Sequence, residues 1–243
     1  MSRIEKNQPV MEEVKEMKGE LMDAAKRKPR RGWRTWVSLI VLFVLVVLIG
    51  MALWTVAATG LVTIPVISKL AYQTPSPTYV VREGIPFETL LQQQIAAETV
   101  RRAYAGDAAA SNEFFISIPE NTLTTELRDH LETSGQTFAD QDGAQIVVLG
   151  ESGIELFLPL RDNAQETALV VRLTLSVTEG MLRATAEDVR LGSWQMGSWL
   201  REGLINPALD GMLDASMRQI EGTASITSVR ADNGSIIANI ELP

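Results

Sequence analysis

The side chains best suited to chemistry in this chain are its carboxylates. Glu151, Glu155, Asp162, Glu166, Glu179, Glu187, Asp188, Asp210 and Asp214 all lie in the C-terminal half, and two carboxylates suffice for glycoside hydrolysis. Acid residues on polar strand faces need no such explanation, and a solvated acidic surface is the preferred reading. The single His130 stands beside a leucine stripe with no partner constellation near it in sequence, so it reads as a helix-surface residue. Asp140, Asp142 and Gly143 echo part of a calcium loop, but the other ligand positions are missing and a turn is expected. Asn233-Gly234-Ser235 matches the glycosylation acceptor, yet Asn-Gly suits a tight hairpin better. The chain has no cysteine and one histidine, which removes disulfides, thiolate zinc sites, cysteine nucleophiles and sites of two or more imidazoles. There is no P-loop, G-x-G-x-x-G, G-x-S-x-G or H-E-x-x-H pattern. The expectation is a non-enzymatic protein with no cofactor and no metal.

What must position any site begins with an apolar run. Val37 to Ala58 carries no charge, and the uncharged stretch continues to Ser68 before Lys69. About 20 apolar residues cross a bilayer core, so a transmembrane helix is expected over residues 36–60. Trp36 and Trp54 lie roughly 27 Å apart along such a helix and suit the two interfaces, with Trp33 just before them. Lys26, Arg27, Lys28, Arg30, Arg31 and Arg34 precede the span without an acidic residue among them, which places the N-terminus in the cytoplasm. A cleaved signal peptide competes, with Val56-Ala57-Ala58 as its cleavage site. The long basic lead and the length of the apolar run favour an uncleaved anchor.

The net charge of −8 divides unevenly across this span. Residues 1–36 carry ten basic and six acidic side chains, while the remainder carries 12 basic and 24 acidic. The basic cluster reads as a topology determinant touching anionic headgroups, and no nucleic-acid partner is implied. Residues 1–35 form a short basic cytoplasmic tail, with a helix expected over 10–27, too small for a core of its own. Residues 61–85 form a juxtamembrane segment and a linker stiffened by Pro75 and Pro77. Residues 86–111 hold a helix with Pro86 at its first position, which could be a stalk, a packing element or a dimer contact.

From residue 112 to 243 the pattern is that of an extracytoplasmic α+β domain. A strand at Phe114–Ile118 leads into a helix from Glu120 to Leu131, with Leu123, Leu127 and Leu131 four apart. Ala144–Gly150 and Ile154–Leu160 read as a hairpin. In the strand from Ala168 to Val177, Leu169, Val171, Leu173 and Leu175 alternate with wettable residues, which predicts an antiparallel sheet with one buried face. Leu182–Val189 follows. Met196–Glu221 is helical, broken at Asn206-Pro207 with Asn206 as N-cap. Thr223–Arg230 and Ser235–Leu242 close the chain as a hairpin.

These elements resemble the YpmS-like family of bacterial membrane-anchored proteins and, more distantly, TULIP-type lipid-binding proteins of the LmeA kind. The resemblance is carried by Ile116-Ser117-Ile118-Pro119-Glu120-Asn121-Thr122-Leu123 and by the strands around Leu169–Val177 and Leu182–Leu191. Val189-Arg190-Leu191-Gly192, the helix through Leu200 and Leu204, and Ile236–Leu242 complete it. It covers about half the chain, and the cytoplasmic tail and the 86–105 helix depart from it. The resemblance implies a curved antiparallel sheet packed on helices, with a groove for lipid tails. Leu127, Leu169, Val171, Leu173, Leu175, Leu200, Leu204, Leu209, Met212 and Leu213 are the candidates to line such a groove, although stripes of this kind more often fill a closed core. The functional expectation is a membrane-anchored binding protein holding a lipid or other apolar ligand at the cell envelope. The alternative is an envelope scaffold that recruits a protein partner through its acidic domain.

Overall fold

The computed structural model describes residues 14–20, 22, 31–105, 113–163, 165–178, 180–217, 225–232 and 234–241. Two compact units are present, Met1–Ala52 and Leu53–Pro243. In the first, residues 14–20 are helical and exposed, and helix α1 (Arg31–Thr59) begins. Its stretch Trp36–Thr59 is, among the described residues, the one helix long and apolar enough to cross a membrane. The side chains from Val37 to Val56 are exposed along it. Each Å² of apolar surface left in water forgoes about 25 cal/mol, and a helix of this length and composition is compatible with a membrane span.

The second unit is α+β. After the end of α1 come α2 (Ile67–Ala71) and α3 (Phe87–Ala105), then β1 (Glu113–Pro119) and α4 (Glu120–Thr133). A five-stranded antiparallel meander follows: β2 (Gln145–Val148), β3 (Ile154–Pro159), β4 (Ala168–Thr178), β5 (Met181–Leu191) and β6 (Trp194–Gln195). Next are α5 (Ser198–Leu200), a π turn (Arg201–Ile205) and α6 (Asn206–Met217). The hairpin of β7 (Ser225–Asp232) and β8 (Ser235–Glu241) joins β1 in a second sheet of order β1-β8-β7.

The core lies on one face of the meander. Pairing sets Ile146 opposite Leu156, Leu156 opposite Val171, and Val171 opposite Val189, so alternate residues share this face. A register shift after Arg172 sets Leu173 opposite Ala186, leaving one extra residue in β5. That bulge keeps Ala184 and Ala186 on the same face as Val189, and it bends the sheet. Leu127 and Leu131 of α4 pack on Leu158 and Leu169, Leu209 of α6 belongs to the cluster around Val171 and Val189, and Ile236 of β8 packs with Val148 and Ile154.

Helix α4 presents three rows of residues four apart, each with its own task. Leu123, Leu127 and Leu131 enter the core. Glu120, Thr124 and Arg128 run along the free edge of β2 and serve in place of another strand. Glu120 Oε2 accepts from Val148 N–H (3.0 Å), and Arg128 Nε donates to the Ala144 carbonyl (2.9 Å). Thr124 Oγ1 accepts from Ile146 N–H (3.0 Å) and donates to its carbonyl (3.2 Å). An exposed strand edge is an aggregation hazard, and this one is closed by side chains. Asn121 and Thr125 form the third row, against Gly84.

The structure corrects one expectation here. Asn206 is not an N-cap, because its backbone is already helical and Leu200–Asn206 continues through the π turn. The Asn206 Oδ1 instead accepts from Ala186 N–H on β5 (2.9 Å), tying the helix to the bulged strand.

Removing the edge closure should be costly out of proportion to its size. Thr124→Val strips both partners from Ile146 and is expected to destabilise the fold by about 1–3 kcal/mol. His130→Ala, at an exposed position of the same helix, should stay within about 0.5 kcal/mol. Denaturant unfolding of the detergent-solubilised chain measures both.

Candidate functional site

Two places in the second unit have the geometry of a site, and the first is built on the segment between α1 and α3. At the end of α1, Ala57, Ala58 and Gly60 are buried. Ser193 N–H donates to the Ala58 carbonyl (2.9 Å), and Thr167 Oγ1 donates to the Thr59 carbonyl (2.8 Å). Small residues let the backbones meet. A Cβ on Gly192 would come within 2.5 Å of the Thr59 carbonyl, and one on Gly60 would strike the Tyr72 ring. The chain then makes an excursion and returns, with the Tyr72 hydroxyl 2.7 Å from Thr167 Oγ1 and donating to the Gln165 carbonyl (2.9 Å).

From Gln73 the chain is an extended strap across the outer face of the meander, where sequence alone suggests a proline-stiffened linker. Ser193 Oγ accepts from Gln73 N–H (2.7 Å) and donates to its carbonyl (3.2 Å). Glu155 of β3 accepts from Thr78 N–H (2.8 Å) and from Thr78 Oγ1 (2.9 Å). The side-chain amide of Gln145 on β2 accepts from Val81 N–H (3.2 Å) and donates to the Tyr79 carbonyl (2.6 Å). Beyond the sheet, Gly84 N–H donates to Thr125 Oγ1 (3.0 Å) and Arg128 pairs with Glu83 (2.7 Å).

Beneath the strap is a polar cleft of about 410 Å³ lined in part by Gln73, Ser76, Glu155, Arg172, Asp188 and Arg190. Glu155 is 1% exposed, which overturns its reading as a surface carboxylate. Arg172 donates to it through Nε and Nη2, both at 3.1 Å, so each carboxylate oxygen is engaged. Asp188 is likewise held, by Arg190 (2.6 Å) and Gln195 (2.9 Å). Of the two carboxylates, Glu155 is the one that fastens the strap, through Thr78. Alongside it, the Tyr79 hydroxyl donates to Glu120 (2.6 Å). Burial first, then the neighbouring Glu120 carboxylate, push the Tyr79 phenol up to about 12. Burial also raises Tyr72.

The second place is apolar. Beneath α3 lies an open groove of about 420 Å³ lined by Leu91, Ile95, Thr99, Phe114, Ile116 and Ile240, with Glu98 and Arg102 at its rim. Gln94 fixes α3 to the free edge of β1 by donating to the Ser117 carbonyl (2.5 Å) and accepting from its N–H (3.2 Å). In the β1–β8 register Phe114 faces Ile240, Ile116 faces Ala238 and Ile118 faces Ile236. The groove therefore continues the face that begins in the core at Ile236. At the rim, Arg101 and then Arg102 hold the Glu98 carboxyl down to about 2.

The residues expected to line a ligand site fall elsewhere. Leu127, Leu169, Val171, Leu173, Leu175 and Leu209 are core or packed on it. Leu200 and Leu213 are half-buried and Leu204 is exposed, while Met212 is on α6. Leu91 and Ile95 carried a signal, being four apart on one helix. The pairing of β1 with β8, which brings Phe114, Ile116 and Ile240 to them, had none. Of the membrane-interface residues, Trp36 and Trp54 are exposed on α1. Arg31, Trp33 and Arg34 are within its helical range, and Lys26, Arg27, Lys28 and Arg30 lie outside the described residues. His130 is exposed, Asp140–Gly143 ends in a turn, and Asn233 lies outside the described residues. No protein-family model matches the chain, and comparison with the curated proteins finds no match.

Two measurements follow from the strap. Arg172→Met, which removes the cation from a buried carboxylate, should cost about 3 kcal/mol, whereas Glu155→Gln, which keeps an acceptor for Thr78, should cost about 1 kcal/mol. Tyr79 has its folded pKa raised above the unfolded value of 10.0. Its contribution to stability is thus complete below pH 10 and lost as pH rises through about 12. Tyr79→Phe should flatten the alkaline fall in melting temperature over that window.

Proposed function

We propose that this chain is a single-pass membrane protein of the bacterial cell envelope whose extracytoplasmic domain holds an apolar chain, such as a lipid acyl tail, in the groove beneath α3. The observation that carries this reading is the groove itself, where an apolar sheet face runs out of the core into an opening that α3 roofs without filling. Its volume lies within the range of small-molecule sites, about 300–1,000 Å³. Transfer of an acyl chain into it is driven by burial of apolar surface and needs no covalent step. Glu98, Arg101 and Arg102 form a fixed polar rim beside which a headgroup can remain in water. The basic residues before α1, set against the acidic remainder, support a cytoplasmic N-terminus. The mixed fold with a curved antiparallel sheet is compatible with the YpmS-like and TULIP-type resemblance.

The lipid should be recoverable from the protein. A photoreactive fatty acid is incubated with the full chain extracted from membranes, and the crosslinked peptides are sequenced. Crosslinks within residues 91–116 are expected, with their yield reduced about tenfold, or 1.4 kcal/mol, by Ile95→Trp, which fills the groove. Crosslinks confined to residues 36–59 would refute the groove and favour the adaptor reading, for which the exposed Val100, Tyr104 and Phe115 offer an apolar contact surface.

A further inference from the structure

Between Gly60 and Tyr72 the chain closes a loop, both ends meeting at Thr167. Its interior is organised by one buried side chain, Ser68. The Ser68 Oγ accepts from Ile64 N–H (2.8 Å), Ser68 N–H donates to the Ile64 carbonyl (2.9 Å), and the Ser68 carbonyl accepts from Tyr72 N–H (2.9 Å). Ile67 N–H donates to the Pro65 carbonyl (3.0 Å), closing a γ-turn around Val66, whose φ of 74° and ψ of −52° belong to the rare and strained form of that turn. Much of the backbone is thus satisfied within the loop, as an apolar medium demands. The side chains do the reverse. Leu61, Val62, Val66 and Leu70 are 54%, 51%, 68% and 75% exposed, although the backbone that carries them is folded on itself.

We infer that this loop is a membrane-seated foot, with Leu61, Val62, Val66 and Leu70 immersed in the interfacial layer of the bilayer that α1 enters. The inference rests on Trp36–Thr59 being a membrane span. Trp54, at belt position, precedes Thr59 by five residues, about 7–8 Å of helix. The loop therefore starts at headgroup depth, the layer in which interfacial segments bury their apolar faces. Lys69 is the loop's one charge, and its long stem lets the ammonium reach lipid phosphates while neighbouring residues are immersed. The foot makes the membrane attachment bipartite, a span plus a surface contact, and limits how the domain can tilt on the membrane.

The chain contains no cysteine, so single nitroxide labels can be introduced in the full-length protein reconstituted in phosphatidylcholine–phosphatidylglycerol vesicles. Labels are placed through Val62→Cys, Val66→Cys and Leu70→Cys, with Leu45→Cys in the span and Tyr104→Cys on α3 as references. Accessibility to oxygen, which concentrates in lipid, is compared with accessibility to a water-soluble nickel chelate. The foot positions should give an oxygen-to-nickel ratio several-fold above that at position 104 and below that at position 45. If position 45 reads as lipid while positions 62, 66 and 70 read as water, the foot is refuted and the span stands. Protection from both reagents refutes it as well, because protein then covers the loop. Water access at position 45 overturns the span and the foot together.

Discussion

A chain laid across the strands of a sheet cannot enter their hydrogen-bond ladder, so each backbone group it brings under cover needs a side-chain partner. Residues 73–86 are in that position, and the outer face of the meander supplies the partners one strand at a time. Ser193 follows β5, Glu155 stands on β3 and Gln145 on β2. Glu155 and Gln145 are buried because the strap is there, and the strap is held because they are. The sheet consequently has two covered faces over β2 and β3, with Val147 and Phe157 buried on the side away from the main core. Arg172 supplies the cation that makes a buried carboxylate tolerable in this arrangement.

The same solution recurs at the sheet margins. Gln94 serves the free edge of β1 as the α4 row of Glu120, Thr124 and Arg128 serves the edge of β2. Both edges are closed by helices that also carry other duties, α4 as the core helix and α3 as the roof of the groove. As the strap advances from Gln73 to Gly84 it meets Ser193, Glu155, Gln145 and Thr125 in turn, the reverse of their order along the chain.

Periodicity made the elements legible. The apolar run of α1, the leucine row of α4 and the alternation of Leu169, Val171, Leu173 and Leu175 each announce a helix or strand, and the helices and strands fall near their expected bounds. Three features escaped for physical reasons. The bulge in β5 shifts the apolar alternation from even to odd residues, which no constant period describes. Glu155 stands within Ile154-Glu155-Leu156-Phe157-Leu158, a run whose burial on both faces depends on a distant segment covering it. The groove needs β1 to pair with β8 across more than a hundred residues, a tertiary choice that local pattern does not encode. Asn206-Pro207 misled in the other direction, since its helix-start signature sits inside a helix and the asparagine amide is used by a strand.

The closure of Gly60 and Tyr72 on Thr167 also has a mechanical meaning. Tension passing from α1 toward the strap meets that junction before it reaches residues 60–72. Were the junction to yield, residues 60–72 would pay out as slack, roughly 40 Å at full extension. The loop is therefore stored length, held closed by the contacts of Thr167 and Ser193 with the chain on either side of it.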